Sequence, residues 1–334
     1  MIVRKKVSLA PFNTFGVDQK ALLFAQILSI EDLKKVADLE ADPYILGGGS
    51  NILLTKDIDR LVIKNELMGK AVLSDSNHEV VIKIGSGENW HSIVKWTVGQ
   101  GWGGLENLSL IPGTVGAAPV QNIGAYGTEI KDTLIEVEAM NLSTGKIEIF
   151  SAGECGFGYR DSIFKHPPYK GHYFITHIVL KLNPRSQPNT KYADIEKKIL
   201  EKNLKRATIQ DIHQIVMEVR EQKLPDPKKI GNAGSFFKNP IIRKAHYEEL
   251  LANHPDMPGY PSGEEIKVPA GWLIDRAGWK GKAIGQVGCY EKQALVIVNR
   301  GGATGHEILQ FSKLVQKDIL DKYGINLLPE INIW

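Results

Sequence analysis

The apolar positions of this chain switch between a strand-like and a helix-like period, and the switches outline its elements. LLFAQIL (22–28) is an apolar run of strand length. Ser29 and Asp32 then form a helix-opening pair ahead of LKKVADL. YIL (44–46) is a short strand that runs into Gly47, Gly48, Gly49, Ser50 and Asn51, followed by ILL. These pieces predict a small β-α-β unit ending near residue 70. A second unit starts at His78, with VVIKI (80–84) as a strand and GSG as a turn. Residues 88–98 follow as a helix carrying Trp90, Val94 and Val98 on one face, and Gly99 and Gly101 stop it. LIEVEAM and KIEIF alternate around STG as a hairpin, and YFITHIVLKL (173–182) is another strand. Residues 191–223 turn helical, with Ile209, Ile212, Ile215, Val216 and Val219 as the apolar stripe.

The prolines of Leu224-Pro225-Asp226-Pro227 mark the start of a third region. It holds GNAGSFFKNP, a proline-rich loop over 254–261, a short helix over 269–277 and a buried strand, ALVIV (294–298). A long helix over 304–323 opens with Thr304 and Glu307 as a capping box, and INLLPEINIW closes the chain as a strand-like tail. Strands and helices in this mixed order predict α+β domains rather than one doubly wound parallel sheet.

With 334 residues the chain is long enough for two or three domains. A net charge of +3 suits an anionic ligand, and no basic run interleaved with aromatics suggests a nucleic-acid track. Neither a signal peptide nor an apolar run of membrane-spanning length is present, so the cytoplasm is the expected location. Cys155 and Cys289 lie far apart and outside any CxxC pair, which argues against a disulfide framework or a zinc site.

One stretch departs from this ordinary composition. LIPGTVGAAPVQNIGAYG (110–127) has four glycines, three alanines and two prolines, and no lysine, arginine, aspartate or glutamate. Small side chains let another body approach the backbone, and bare N–H groups suit an anion. A tight packing loop between layers has the same composition, so both readings stand at this point. The usual nucleotide and hydrolase signatures fail. Gly47 and Gly49 begin a GxGxxG pattern whose third glycine position is Ile52, and Gly281-Lys282 is followed by alanine where a P-loop needs serine or threonine. No HExxH occurs, His172 and His177 decorate a strand, and Ser235 sits in AGSFF rather than GxSxG.

The remaining blocks form a recognisable series. NTFGVD (13–18), LGGGSNILL (46–54), GLENLSLIPGTVGAAPVQNIGAYG (104–127), FGYRDSIFKH (157–166), KLPDP (223–227), GNAGSFFKNP (231–240), AGWLIDRAGWKG (270–281), QALVIVN (293–299) and LPEI (328–331) occur in this order. Together they resemble the UDP-N-acetylenolpyruvoylglucosamine reductase family, in the subclass with an inserted tyrosine loop. The resemblance implies an FAD-binding fold of the vanillyl-alcohol oxidase and p-cresol methylhydroxylase type, with a C-terminal α+β substrate domain. Residues 1–70, joined by 324–334, and residues 71–223 would be the two FAD-binding subdomains, and 224–323 the substrate domain. It implies FAD and NADPH as cofactors, UDP-N-acetylglucosamine enolpyruvate as substrate, and a monomer. FAD would rest on Gly47, Gly48, Gly49, Ser50 and Asn51, and on Ile111, Gly113, Thr114, Gly116, Ala117, Asn122, Gly124, Ala125 and Tyr126. Neither loop contains histidine or cysteine, so non-covalent flavin is expected.

The family reaction also implies roles for single residues. Arg160 in GYRDS matches the arginine that holds the substrate carboxylate, a geometry suited to a guanidinium fork. Ser235 matches the serine that protonates the carbon, and Glu330 the glutamate near the carboxylate. Two neighbouring carboxylates resist ionising together, so Glu330 is expected to carry a proton and donate a hydrogen bond. Tyr192 resembles the tyrosine closing over the UDP diphosphate. Lys223, Asn239 and Gln293 match further UDP contacts, and Tyr126 stands where a ring borders nicotinamide and substrate. The rival expectation is a flavin oxidase or dehydrogenase of the same fold acting on another substrate.

Overall fold

A computed structural model describes residues 1–39 and 42–334. The chain divides into two compact units, each assembled from separated segments. The first comprises Met1–Val7, Ala21–Gly48 and Ile58–Glu221, and the second Ser8–Lys20, Gly49–Asp57 and Gln222–Trp334. One division lies between Glu221 and Gln222, just ahead of Leu224-Pro225-Asp226-Pro227. The others cut through the glycine run between Gly48 and Gly49, and they carry residues 8–20 and 49–57 into the second unit.

In the first unit, strands order as Val3–Ser8, Lys20–Ile27, Ile58–Asn65 and Tyr44–Leu46. Lys20–Ile27 and Tyr44–Leu46 both run parallel to Ile58–Asn65, as a β-α-β crossover requires. The crossover helix α1 (Ile30–Ala37) is capped by Ser29, whose hydroxyl accepts from Asp32 N at 3.1 Å. It buries Leu33 and Val36 against Ala25, Ile27, Leu61 and Ile63. A second, antiparallel sheet orders Ile147–Ser151, Leu134–Asn141, Tyr173–Leu182, Val80–Gly85 and Lys70–Asp75. Helix α2 (Trp90–Gly99) shares a core with this sheet through Trp90, Ile93, Val94 and Val98. It starts later than the apolar pattern alone predicts because the Asn89 side chain caps Ser92 N at 2.9 Å. The helical pattern over 191–223 is two helices, α3 (Ala193–Glu201) and α4 (Ile209–Lys223). Ile195 of α3 packs on the buried stripe Ile212, Ile215, Val216 and Val219 of α4.

In the second unit, strands order as Gly231–Ser235, Val296–Asn299, Val287–Cys289 and Ala283–Ile284. The ALVIV strand is shorter than expected, since Val296 N turns back to Gln293 O at 3.1 Å. A small sheet of Ile241–Arg243, Glu265–Lys267 and Tyr260–Ser262 accompanies helix α5 (Lys244–Asn253). The sequence pattern misses α5 because none of its residues is buried, so no apolar stripe announces it. Helix α6 (Ala270–Arg276) and helix α7 (Gly305–Tyr323) follow, the latter with the reciprocal Thr304–Glu307 capping box. Of the C-terminal tail only Asn332–Ile333 is a strand, running parallel to Ile52–Leu53. Among the described residues no helix is long and apolar enough to cross a membrane, and no group of His, Cys, Asp and Glu is placed to hold a metal. Cys155 and Cys289 are free, and burial pushes both thiols up to about 12.

Candidate active site

The charge-free loop of the first unit forms a cradle that only glycine permits. A Cβ on Gly48 would stand 2.7 Å from Gly113 Cα, and a Cβ on Gly47 would stand 2.7 Å from Thr114 Oγ1. The Thr114 hydroxyl is buried and has no hydrogen-bond partner among the described residues. A buried hydroxyl left in that state costs about 1–3 kcal/mol, so the arrangement suits a polar ligand that supplies the missing bond. Further along, the loop is fastened to its own unit. Val115 N donates to Glu88 O at 2.9 Å, Gly116 N to Ser86 O at 2.8 Å, and Ala117 N to Thr114 O at 3.1 Å. Gly116 has no room for a side chain, because its Cβ would lie 2.6 Å from Ser86 Cβ. Asn122, left-handed at φ +44°, donates from Nδ2 to Glu129 Oε2 at 2.9 Å and to Gly158 O at 3.0 Å. The run of bare amides suggested by composition is therefore shorter than the loop. Its fit to FAD rests on the glycine cradle and the orphaned hydroxyl.

Arg160 reaches the far end of this loop. Its Nη2 donates to Gly124 O at 2.6 Å and its Nη1 to Asn122 O at 3.5 Å, from a left-handed backbone at φ +53°. The neighbouring Asp161 turns to His166 Nε2, at 2.8 and 2.9 Å. Gly124 and Ala125 pair with Glu129 and Thr128 in a two-stranded ribbon, and Tyr126 follows at φ +50°. The Tyr126 ring meets Tyr192 edge to face at 5.1 Å. Burial pushes the Tyr126 phenol up to about 12, and a hydrogen bond from Arg220 opposes that shift.

The second unit brings Ser235 and Glu330 onto adjoining backbone. Ser235 ends the strand Gly231–Ser235 opposite Val296, and Glu330 N donates to Phe236 O at 2.8 Å. Phe237 and Pro329 form an isolated bridge beside them. Buried Phe236 and Phe237 anchor the segment beneath. Glu330 O also receives Asn51 Nδ2 at 3.5 Å, while Asn51 O accepts from Asn332 N at 2.9 Å. Gly49 is left-handed at φ +66°, and a Cβ there would run into Phe12 O. Asn239 Oδ1 accepts from Ala270 N at 2.9 Å, opening α6, and Gln293 Oε1 accepts from Leu295 N at 3.4 Å. Lys223 ends α4. Ser50 lies in the turn after Gly49, and Ile111 is a partly buried residue of the first unit's core. Arg160 and Tyr192 thus belong to the first unit, and Ser235, Glu330, Asn239, Gln293 and Lys223 to the second.

Several side chains that organise these segments carry no sequence signal. Asn107 Nδ2 donates to both Tyr126 O, at 3.2 Å, and Asn189 O, at 2.9 Å, while Asn189 Nδ2 donates to Gly127 O at 2.9 Å. Leu110 N donates to His91 Nδ1, and the buried Arg220 Nε has no hydrogen-bond partner among the described residues. Hydrophobic periodicity records apolar faces, so single polar residues under a loop escape it.

Comparison with known proteins agrees with this architecture. Residues 25–151 match the FAD binding domain family, and residues 226–334 match the family of the UDP-N-acetylenolpyruvoylglucosamine reductase C-terminal domain. The UDP-N-acetylenolpyruvoylglucosamine reductase of Flavobacterium johnsoniae is 47% identical over 100% of both chains. That of Pseudomonas putida is 42% identical over 99% of this chain and 98% of its own. The crystal structure of the same reductase from Thermus caldophilus superposes with a TM-score of 0.69 at 26% identity, over 100% of both chains. The fold is the FAD-binding α+β fold of the vanillyl-alcohol oxidase and p-cresol methylhydroxylase type, with a C-terminal α+β domain. Identity of this extent along the whole length places the chain in the UDP-N-acetylenolpyruvoylglucosamine reductase family.

Proposed function

We propose that the chain reduces the enolpyruvyl ether of UDP-N-acetylglucosamine enolpyruvate to the lactyl ether of UDP-N-acetylmuramate, an NADPH-consuming step of peptidoglycan precursor synthesis. The observation that carries this reading is the glycine cradle with its unsatisfied Thr114 hydroxyl, within a chain of this family. FAD, once bound, supplies the hydride path from NADPH to the alkene carbon distal to the carboxylate. Gly47, Gly48, Gly113 and Thr114 would hold it, together with Gly49, Ser50, Asn51, Ile111, Gly116, Ala117, Asn122, Gly124, Ala125 and Tyr126.

The chain's own residues manage charge and protons. Hydride arrival at one alkene carbon leaves negative charge on the other, spread into the carboxylate. Arg160 neutralises that carboxylate through its guanidinium. Ser235 delivers the proton to the carbon and regains one through ordered water, since a lone hydroxyl is a weak acid. Glu330 donates a hydrogen bond to the developing charge. Tyr192 closes over the nucleotide diphosphate, Gln293 contacts it, and Lys223 and Asn239 make further contacts to the UDP, with residues 224–323 as the substrate domain. The reading carries with it a cytoplasmic monomer, which sedimentation of the purified protein checks.

An anaerobic absorption spectrum, titrated first with NADPH and then with the enolpyruvyl nucleotide, tests the reaction. The flavin band should bleach in the first titration and return in the second. A band that stays bleached would remove this substrate. Arg160→Ala should leave bleaching by NADPH intact and slow the return by about a hundredfold or more. Equal loss in both halves would take Arg160 out of its assigned role. Glu330→Gln should keep most of the return rate, and a Gln variant as slow as Glu330→Ala would rule out a purely hydrogen-bonding role.

A further inference from the structure

Two half-buried histidines stand under the start of the charge-free loop, and neither is used by the chemistry above. His91, on α2, and His213, on α4, stack with ring centroids 5.7 Å apart and planes 15° apart. Their hydrogen bonds determine both tautomers. Leu110 N donates to His91 Nδ1 at 2.9 Å, so that nitrogen must present a lone pair and the ring's proton sits on Nε2. Ser109 Oγ donates to Glu106 O at 2.6 Å, and a carbonyl can only accept. The single hydroxyl proton is spent there, so the 2.6 Å contact between Ser109 Oγ and His213 Nδ1 has the histidine donating. His213 can take a second proton on Nε2 and keep its bond. His91 cannot, because a proton on Nδ1 would face the Leu110 N–H.

Leu110 is the residue on which this matters. It is left-handed at φ +58°, a conformation that costs a non-glycine residue of the order of 1 kcal/mol and persists only when its surroundings hold it. It also immediately precedes Ile111, where the assigned flavin-binding segment begins. The charged neighbours all resist protonation of His91. Lys95 lies on its own helix, and Arg220 and His213 face it from α4. Glu106, four residues ahead of Leu110, is buried with its carboxyl group turned to Gly104 N at 2.6 Å. Burial first, then Lys95 and Arg220, hold the His91 imidazole below its ordinary value of 6.5.

We propose that His91 is a positioning residue for the flavin-binding loop, holding Leu110 only while its Nδ1 is unprotonated, so that flavin affinity falls in acid through this one ring. The inference rests on the reading that residues 111–127 bind the flavin. Its direction follows from linkage. A histidine held neutral in the ordered loop contributes fully above its ordinary value, and the contribution is lost as pH falls below about 6.5.

The test measures FAD binding to the apoprotein by flavin fluorescence between about pH 8 and pH 5.5, for wild type, His91→Asn and His91→Phe. Asparagine places an acceptor near the Nδ1 position and does not titrate. Phenylalanine keeps a ring against His213 and removes the acceptor. The wild-type dissociation constant should rise about five- to tenfold across the range, the size expected from one lost hydrogen bond. His91→Asn should show no rise, and His91→Phe should be weak throughout. An Asn variant that keeps the wild-type pH dependence overturns the proposal, as does a Phe variant that binds FAD like wild type at pH 8. Hydrogen exchange at the Leu110 amide in flavin-free protein separates this from failure of the flavin reading. Faster exchange in the Phe variant alone, by about fivefold or more, supports the anchor even if FAD binds elsewhere. Equal exchange in all three proteins sinks it.

Discussion

A methyl carbon added at Gly48 would stand 2.7 Å from Gly113 Cα, whereas one added at Gly234 would meet nothing within 4 Å. Both glycines lie in glycine-rich, charge-poor stretches that look alike in composition, and they are glycine for different reasons. Gly48 makes room for other backbone, and the room belongs to a cradle with an unsatisfied hydroxyl. Gly234 supplies a left-handed turn at φ +71°, and the turn belongs to a framework held by buried asparagines. Asn232 donates from Nδ2 to Pro225 O at 3.2 Å and Ile230 O at 2.9 Å, and accepts Gly234 N on Oδ1 at 3.0 Å. Asn299 likewise donates to Phe15 O at 2.9 Å and accepts Gly301 N at 2.9 Å and Ala303 N at 3.1 Å. In the second stretch every polar atom of these side chains is answered from within the chain. In the cradle that Gly48 shares with residues 110–127, Thr114 Oγ1 finds no partner among the described residues and is left for something else to answer.

The largest effect should come from closing the cradle. In Gly48→Val the obstructing atom is backbone, which cannot rotate aside, and overpacking of this kind costs about 1–3 kcal/mol or more. The variant should purify with little flavin, its dissociation constant raised by about a hundredfold. Gly234→Ala has space but the wrong backbone preference, at about 1 kcal/mol, and should retain stoichiometric flavin while melting earlier. The ratio of flavin to protein absorbance reads both. If Gly48→Val stays fully loaded, the contrast between the two glycines fails.

The framework half of this comparison was legible in the sequence only as resemblance. Asn13, Asn232 and Asn299 all fall in recognisable blocks, but nothing in their spacing says that they bond backbone rather than ligand. Elements with an apolar stripe or a cap were readable, α4 from its isoleucines and valines and α7 from Thr304 and Glu307. Helix α5 was not, because it buries nothing. The site was half readable. Absence of charge marked residues 110–127, yet it could not tell which amides the chain uses itself, and Ser86 and Glu88 take those of Gly116 and Val115 from positions well upstream. His91, Asn107 and Asn189 act through single hydrogen bonds across the fold, and a one-dimensional pattern does not contain such contacts.

A smaller effect should follow from Asn232→Ala. Three hydrogen bonds disappear and the Gly234 amide loses its acceptor, so about 2–3 kcal/mol of stability should go, read as a lower denaturant midpoint. Flavin stoichiometry in the folded protein should be unchanged. A variant that folds normally but loses flavin would move Asn232 from framework to binding, and the distinction between the stretches would blur.

The smallest effect is also the most discriminating, because it has opposite signs in the two states. Thr114→Val keeps the side-chain shape and deletes the orphaned hydroxyl. In flavin-free protein the deletion removes a buried polar group with no partner, a gain of about 1 kcal/mol that should raise the melting temperature by about 1–2 °C. In the complex it removes the group that the ligand would answer, so FAD should bind about five- to tenfold more weakly. Thr114→Ser keeps the hydroxyl and should lose neither. A structural threonine gives the reverse pattern, with stability down in the valine variant and affinity untouched. That outcome would make residues 110–127 a packing loop like its counterpart, and the difference between the two stretches would reduce to backbone geometry. Opposed shifts would instead mean that the chain leaves this hydroxyl unsatisfied in the folded apoprotein and recovers its cost when the flavin binds.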